Sequence, residues 1–258
     1  MTTEAPIQQS GAMPLLRPTL RDRTAVVTGG SGSIGYAIAL ALHELGASVL
    51  ALDLELDKRA HPEGLRFKKI DLSNAQELDS LCDAIVSGEI KVDILVNNAG
   101  ILTNNKLQAT SPEELQAISR VNVDAPLRLT QAVTPHMKDQ GWGRIINMTS
   151  FAWKAGGLTA GTSYCVSKAA LTGLTFSNAR ELAGCGITVN GIAPAYVLSP
   201  MVEVALSDSE RSSLLKQIPV GRFCQPEEVA HTVAFLASPF AGFITGEIVD
   251  MNGGLQFD

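Results

Sequence analysis

The 258-residue chain carries 20 Lys+Arg against 26 Asp+Glu, a net charge of −6, with 45% hydrophobic and 18% charged residues. That balance is ordinary for a soluble globular enzyme, and it argues against nucleic acid as a partner, because phosphate affinity is built from clustered positive charge. The length suits one large core, and small molecules or further copies of the chain are the expected partners.

Residues 1–20, with Pro6, Gly11, Pro14 and Pro18, read as a flexible arm, which leaves residues 21–258 as a single domain. No basic segment followed by an apolar core opens the chain, so no secretory signal is expected. The most apolar stretch, Ile34 to Leu52, is interrupted by His43, Glu44 and Gly46 and does not read as a membrane span. Cys82, Cys165, Cys185 and Cys224 form no C-x-x-C pair, and His43, His61, His136 and His231 are scattered. A metal site is therefore not expected, and free thiols fit a reducing cytoplasm.

Thr24 to Val27 is a short apolar strand running into Thr28-Gly29-Gly30-Ser31-Gly32-Ser33-Ile34-Gly35, after which a helical pattern continues through Leu45. Strand, glycine turn and helix form the context of a dinucleotide-binding turn. Glycines let the backbone approach a pyrophosphate, and the helix N-terminus favours its charge. Ala47 to Asp53 is a second buried strand ending in an acid 18 residues past Gly35, near the spacing at which a carboxylate bonds the ribose hydroxyls of NAD. A 2′-phosphate would meet like charge there. NAD is expected over NADP, with Lys58 and Arg59 close enough in sequence to keep NADP in play.

The connection to a third strand, Leu65 to Asp71, is too short for a crossover helix and predicts a loop or single turn. Ser73 to Gln76 reads as a capping box opening a helix to Val86. Val92 to Val96 is a fourth buried strand that empties into Asn97-Asn98-Ala99-Gly100, a turn whose amides would lie against a ribose or adenine. Ser111-Pro112-Glu113-Glu114 caps the next helix, and Asn122 stands near its middle, where an asparagine asks for a reason.

A fifth strand, Arg144 onward, ends at Ser150, which places the serine hydroxyl at the sheet edge where ligands bind. A helix then carries Tyr164 and Lys168, four residues apart and so on one face, about 5–6 Å from each other. A free phenol titrates near about 10, and a neighbouring ammonium favours the phenolate, so this pair is expected to make an acid/base usable near neutral pH. Gly186 to Ile192 is a sixth strand; Val197 to Lys216 reads as a mobile lid with a short helix from Ser207; Pro226 opens a last helix to Ala237; and Thr245 to Asp250 is a final strand. Strands and helices alternate, which predicts a mostly parallel sheet with helices on both faces.

Taken in this order, the glycine turn, Asn97 to Gly100, Asn122, Ser150, Tyr164 and Lys168 resemble the short-chain dehydrogenase/reductase family from about residue 20 to the C-terminus. The resemblance implies a single Rossmann-type, doubly wound α/β domain with a seven-stranded sheet. It also implies NAD(P) as cofactor, and a homotetramer or homodimer packed through the helices carrying Asn122 and Tyr164. Position by position it implies Tyr164 as the acid/base, Lys168 as the group that depresses its pKa and bonds the nicotinamide ribose, Ser150 as the holder of the substrate oxygen, and Asn122 as the anchor of a water. The cofactor would meet Gly29, Ser31, Ser33, Ile34, Gly35, Asp53, the adenine-contacting Asp71 and Leu72, Asn98 near the adenosine-side ribose, Ala99, Gly100, Pro194, and Val197 with Ser199 at the carboxamide.

Several features depart from the family pattern, among them Ser199 where threonine is common, whose hydroxyl can do the same work. Ser33 replaces a glycine, Ala195 replaces the glycine after Pro194, and the Ser150 to Tyr164 gap is one residue longer, so Phe151, Ala152 and Trp153 are expected to bulge into the substrate site. Leu102, Trp153, Tyr196, Met201 and Val204 are the candidate substrate residues. The expected activity is NAD-dependent interconversion of a secondary alcohol (a polyol, sugar alcohol or hydroxy acid) and its ketone. The alternatives are reduction of a 3-oxoacyl thioester, for which Lys138 and Arg144 supply few basic residues toward an acyl carrier, and a non-catalytic dinucleotide-binding regulator.

Overall fold

The computed structural model describes residues 19–198 and 208–257. Seven strands, β1 (Thr24–Thr28), β2 (Ser48–Asp53), β3 (Leu65–Lys69), β4 (Ile94–Asn97), β5 (Gly143–Met148), β6 (Ile187–Pro194) and β7 (Ile248–Met251), form one sheet in the order β3-β2-β1-β4-β5-β6-β7. Every neighbouring pair is parallel, so the sheet is wholly rather than mostly so. β4, β5 and β6 are buried at every position, as strands of a sheet covered on both faces are, and the polar side chains they bury, Asn97 and Asn147 among them, bond one another. β3 alternates Leu65 inward with exposed Arg66, Lys68 and Lys69, and its charges protect an open edge.

Helices cover both faces. On one side α1 (Ser33–Glu44) turns Ile38, Ala39 and Leu42 into the sheet beside Val229, Val233 and Leu236 of α8 (Pro226–Ala237). On the other, α2 (Ala75–Val86), α4 (Ala125–Gln140) and α6 (Thr162–Leu182) contribute Leu78, Leu81, Ile85, Leu129, Val133, Met137, Ala179 and Leu182. Each such aliphatic side chain contributes about 1.5–3 kcal/mol when fully buried, so Leu81→Ala alone would cost ~2–5 kcal/mol. The remaining helices are α3 (Pro112–Ser119), the single turn α5 (Ala152–Ala155) and α7 (Asp208–Gln217). Among the described residues no helix is long and apolar enough to cross a membrane.

Several expectations shift. Leu20 is fully buried and its N–H donates to Leu45 O at 2.8 Å, so the domain begins before residue 21; residues 1–18 of the expected arm lie outside the described residues. The cap of α2 is Asn74, whose side chain accepts from Gln76 N and Glu77 N, one residue later than the Ser73 reading; two adjacent cap-formers compete there and Asn74 wins. β3 stops at Lys69 and β7 starts at Ile248. The helix expected around Asn122 is two helices, α3 and α4, joined by a π turn over Arg120–Asp124. Of the segment expected to bulge into the substrate site, Phe151 and Ala152 are buried at the start of α5 and Trp153 is half-buried.

Candidate active site

The strand order reverses between β1 and β4, and in an open parallel sheet the crevice beyond the C-terminal ends of such a pair takes the ligand. Thr28 stitches the two ends together: its Oγ1 accepts from Asn98 N and Ala99 N, both at 3.0 Å. Asn98, expected beside the adenosine-side ribose, instead commits its amide to the turn, donating to Thr28 O at 2.9 Å and Gly29 O at 3.1 Å. Gly29 has φ 65°, and a Cβ on Gly35 would collide with Gly29 O, so both glycines are needed for the turn to close.

α1 starts at Ser33 behind Gly32, with no side-chain cap and no acid in its first turn. The N–H groups of Ser33, Ile34 and Gly35 therefore keep their partial positive charge for an anion. A Cβ on Gly32 would meet only Gly29 O at 3.6 Å, so the ground above the turn is open. This is a cradle that fits a pyrophosphate, and Ser33 in place of a glycine does not close it.

At the end of β2, Asp53 Oδ2 accepts from Ser31 N at 2.8 Å and Oδ1 from Leu54 N at 2.7 Å, which fixes the carboxylate beside the glycine turn. Past β3, Asp71 Oδ1 accepts from Ser73 N and Ser73 Oγ, and these bonds hold its carboxyl below the usual range. The Leu72 side chain belongs to the core, so only its backbone faces the groove.

The chemistry-bearing side chains converge where β5 meets α6. Ser150 lies two residues past β5; its Oγ accepts from Ala152 N at 3.2 Å and stands near enough to the Tyr164 phenol to favour its ionised form. Lys168 is buried; its Nζ donates to Met148 O at 2.7 Å and stands 5.5 Å from the Tyr164 ring centre. A Cβ at Gly100 would lie 3.4 Å from both Lys168 Nζ and Asn122 Oδ1, so Gly100 keeps the space in which these two groups meet. Asn122, fully buried, is engaged at both ends: Oδ1 accepts from Ile101 N at 2.9 Å, while Nδ2 donates to Ile101 O and Ser167 Oγ at 3.0 Å. It braces a loop and a helix, and the π turn is what turns it inward.

The electrostatics differ from the expectation. Burial pushes the Tyr164 phenol up, against the smaller downward effect of the Ser150 hydroxyl, and burial lowers Lys168 to about 8. The ammonium is turned to Met148 O, so desolvation wins and the phenol is neutral in the ligand-free protein.

Around this centre Pro194 O accepts from Phe151 N at 2.9 Å, and Val197 bridges Cys224. Tyr196 packs on Phe223 and lines a cavity of about 370 Å³ with Ile218, Cys224 and Met251. A wider depression of about 580 Å³, over Phe176, Arg180 and Thr245, touches none of the residues above. Leu102 is exposed just after the braced Ile101, and Trp153 is half-buried with its indole N–H unpartnered. Ser199, Met201 and Val204 lie outside the described residues. Arg144 is buried at the start of β5 and Lys138 sits in the last turn of α4 beside Glu181, so both are at the opposite edge of the sheet from Tyr164.

Sequence reasoning missed a second set. Ser167 links Asn122 to Tyr164 O at 2.8 Å. Glu114, read only as part of a helix cap, accepts from Thr103 Oγ1 at 2.7 Å, Asn105 Nδ2 at 2.5 Å and Ser163 Oγ at 2.6 Å. Lys106 Nζ donates to Gly157 O and Ala160 O, both at 2.6 Å. Loop 101–106 thereby caps the N-terminus of α6, where Gly161 N and Thr162 N donate to Thr103 O and Asn105 O. Partners so far apart in the chain leave no local signature.

The family described as enoyl-(acyl carrier protein) reductase matches residues 29–256. The 3-oxoacyl-(acyl-carrier-protein) reductase FabG of Vibrio cholerae serotype O1 is 39% identical over 242 residues, spanning 92% of this chain and 98% of its own. That of Staphylococcus aureus is 38% identical over 242 residues, with shares of 90% and 98%. Among solved structures, a putative NAD(P)-dependent gluconate 5-dehydrogenase from Beutenbergia cavernae, with NADP bound at low occupancy, matches with a TM-score of 0.83 and 30% identity, covering 92% of this chain and 98% of that one. The chain belongs to the short-chain dehydrogenase/reductase family of oxidoreductases, which bind nicotinamide dinucleotides.

Proposed function

We propose that the protein reduces the ketone of a 3-oxoacyl thioester, with Tyr164 as the proton donor, and that it prefers NADH. The observation that carries the reaction is the convergence of Ser150, the Tyr164 phenol and buried Lys168, whose Nζ stands 5.5 Å from the Tyr164 ring centre. A neutral phenol is the acid that carbonyl reduction requires. Relatives bearing the 3-oxoacyl reductase name at 35–39% identity across nearly the whole chain support the substrate class.

The bound dinucleotide supplies the hydride. Ser150 Oγ and the Tyr164 hydroxyl hold the substrate oxygen between them, and Tyr164 gives it a proton as negative charge develops there. Lys168 keeps a positive charge near that oxygen below about pH 8. Ser167 and Asn122 fix the helix turn that carries both. Asp53 supports the cofactor preference, since its carboxylate would accept from a ribose hydroxyl and repel a 2′-phosphate.

A second reading, oxidation of a polyol or hydroxy acid, has the name of the Beutenbergia cavernae neighbour in its favour. Assembly as a homotetramer or homodimer through α4 and α6 has the exposed Val166 and Phe176 of α6 in its favour, and a cytoplasmic setting has the free cysteines. The test follows NADH and NADPH absorbance with a short 3-oxoacyl thioester, and NAD and NADP with polyols and hydroxy acids. Turnover confined to the thioester supports the proposal, turnover confined to the alcohols replaces it with the second reading, and dinucleotide binding without any turnover favours a regulator.

A further inference from the structure

The loop between β2 and β3 holds a charged and aromatic cluster that the chemistry above does not use. Arg59 lies over Tyr36 of α1, its guanidinium carbon 3.4 Å from the ring centre, and its Nη2 donates to Ser31 O at 3.1 Å. Ser31 N, in turn, is the group held by Asp53 at 2.8 Å. One residue of the glycine turn thus carries the ribose-reading carboxylate on its N–H and a guanidinium on its carbonyl. Half-exposed Arg59 therefore stands beside the end of β2, where the 2′ position of an adenosine ribose would fall.

This cation is not free. Arg59 Nε donates to Asp57 Oδ1 at 2.8 Å and Oδ2 at 2.7 Å, Arg59 N donates to Oδ1 at 2.7 Å, and Nη2 also reaches Oδ2. The Asp57 side chain is only 4% exposed, and His61, stacked on Phe67 at 4.1 Å, backs it with Nε2 at 3.8 Å from Oδ1. The same bonds hold the Asp57 carboxyl below its usual range. Glu55 is occupied separately, 3.6 Å from Lys69. With Arg59 cancelled by Asp57, Asp53 is left to set the charge at the ribose. A guanidinium released from its carboxylate would offer a planar fork suited to a phosphate.

We propose that Asp57 decides the dinucleotide: by neutralising Arg59 at the glycine turn it leaves Asp53 to select the 2′-hydroxyl of NAD, and releasing Arg59 creates a receptor for the 2′-phosphate of NADP. The proposal rests on the reading of Asp53 as NAD-selective. Dissociation constants for NADH and NADPH, from the nucleotides' own fluorescence, test it without any substrate. Asp57→Asn should tighten NADPH by about tenfold, the scale of one hydrogen bond to a charged group, and move NADH by less than about threefold. Adding Arg59→Gln should remove the gain.

An unchanged NADPH constant in Asp57→Asn, or a gain that survives Arg59→Gln, overturns the proposal. A wild-type preference for NADPH refutes the Asp53 reading instead, while the lock is still judged by the shift. Should Asp57→Asn not fold, Arg59→Gln alone bares Asp57 and should weaken NADPH about tenfold relative to NADH; an unchanged ratio overturns the proposal just as well.

Discussion

At the catalytic end of the groove, Lys168, Asn122, Ser167 and Ser163 are all buried and each is tied to a named partner at 2.6–3.0 Å. At the adenosine end, Arg59 is half exposed and sits on a loop with no secondary structure between β2 and β3. The first region is over-determined: removing one partner leaves another polar group buried without a bond, at a cost of ~1–3 kcal/mol. The second rests on the Arg59–Asp57 ion pair, the Ser31 carbonyl and the Tyr36 ring, and the Arg59 side chain is half exposed, so its charge can be reassigned at the surface. Geometry demanded by the reaction is thus set in the interior, while the choice between two cofactors is left to a loop.

The sharpest break of the buried region is Tyr164→Phe, which removes the proton donor and should lower kcat by about 10²–10⁴-fold while NADH binding stays within about twofold. Turnover near the wild-type rate would remove Tyr164 from the mechanism. Next comes pH. Lys168 is charged below about 8 and neutral above it, so kcat/KM for reduction should fall about tenfold per unit beyond pH 8, since that parameter reports groups of the free enzyme. A profile that stays flat to about pH 9.5 would show that its charge is not needed.

Asn122→Ala should cost about 1–3 kcal/mol by removing the side-chain partners of Ile101 N and Ile101 O, lowering Tm by ~2–4 °C per kcal/mol. A melting curve that matches wild type would mean that the brace is dispensable. The smallest effect belongs to the open cradle. Gly32 is extended, with φ −69° and ψ 165°, and its added Cβ meets only Gly29 O at 3.6 Å, so Gly32→Ala should cost below about 1 kcal/mol. NADH affinity lost at Gly32→Ala would mean that the pyrophosphate lies closer to the turn than the cradle suggests.

What could be read from the sequence follows the same division. The glycine turn, Asn97 to Gly100, Ser150, and the Tyr164 and Lys168 pair are local patterns whose spacing carries their geometry, and the strand and helix alternation carried the architecture. The π turn was not legible, because Arg120 to Asp124 are residues that an ordinary helix also accepts. Neither was the direction of the Tyr164 shift. The spacing places Lys168 on the same face but cannot say that Met148 O takes its ammonium. Glu114 with Ser163, 49 residues apart, and Arg59 with Ser31, 28 apart, depend on the finished fold.

Glu114 and loop 101–106 also have a kinetic meaning. The N-terminus of α6 has no side-chain cap of its own and takes its bonds from carbonyls some 57 residues upstream, Gly161 with Thr103 and Thr162 with Asn105. Such contacts form only after a long stretch of chain has closed on itself, and loop closure of that length is a late, entropically costly event in folding. The helix bearing Tyr164 therefore acquires its proper start only through chain distant in sequence, so catalytic competence is expected to appear no earlier than the docking of loop 101–106 on α6.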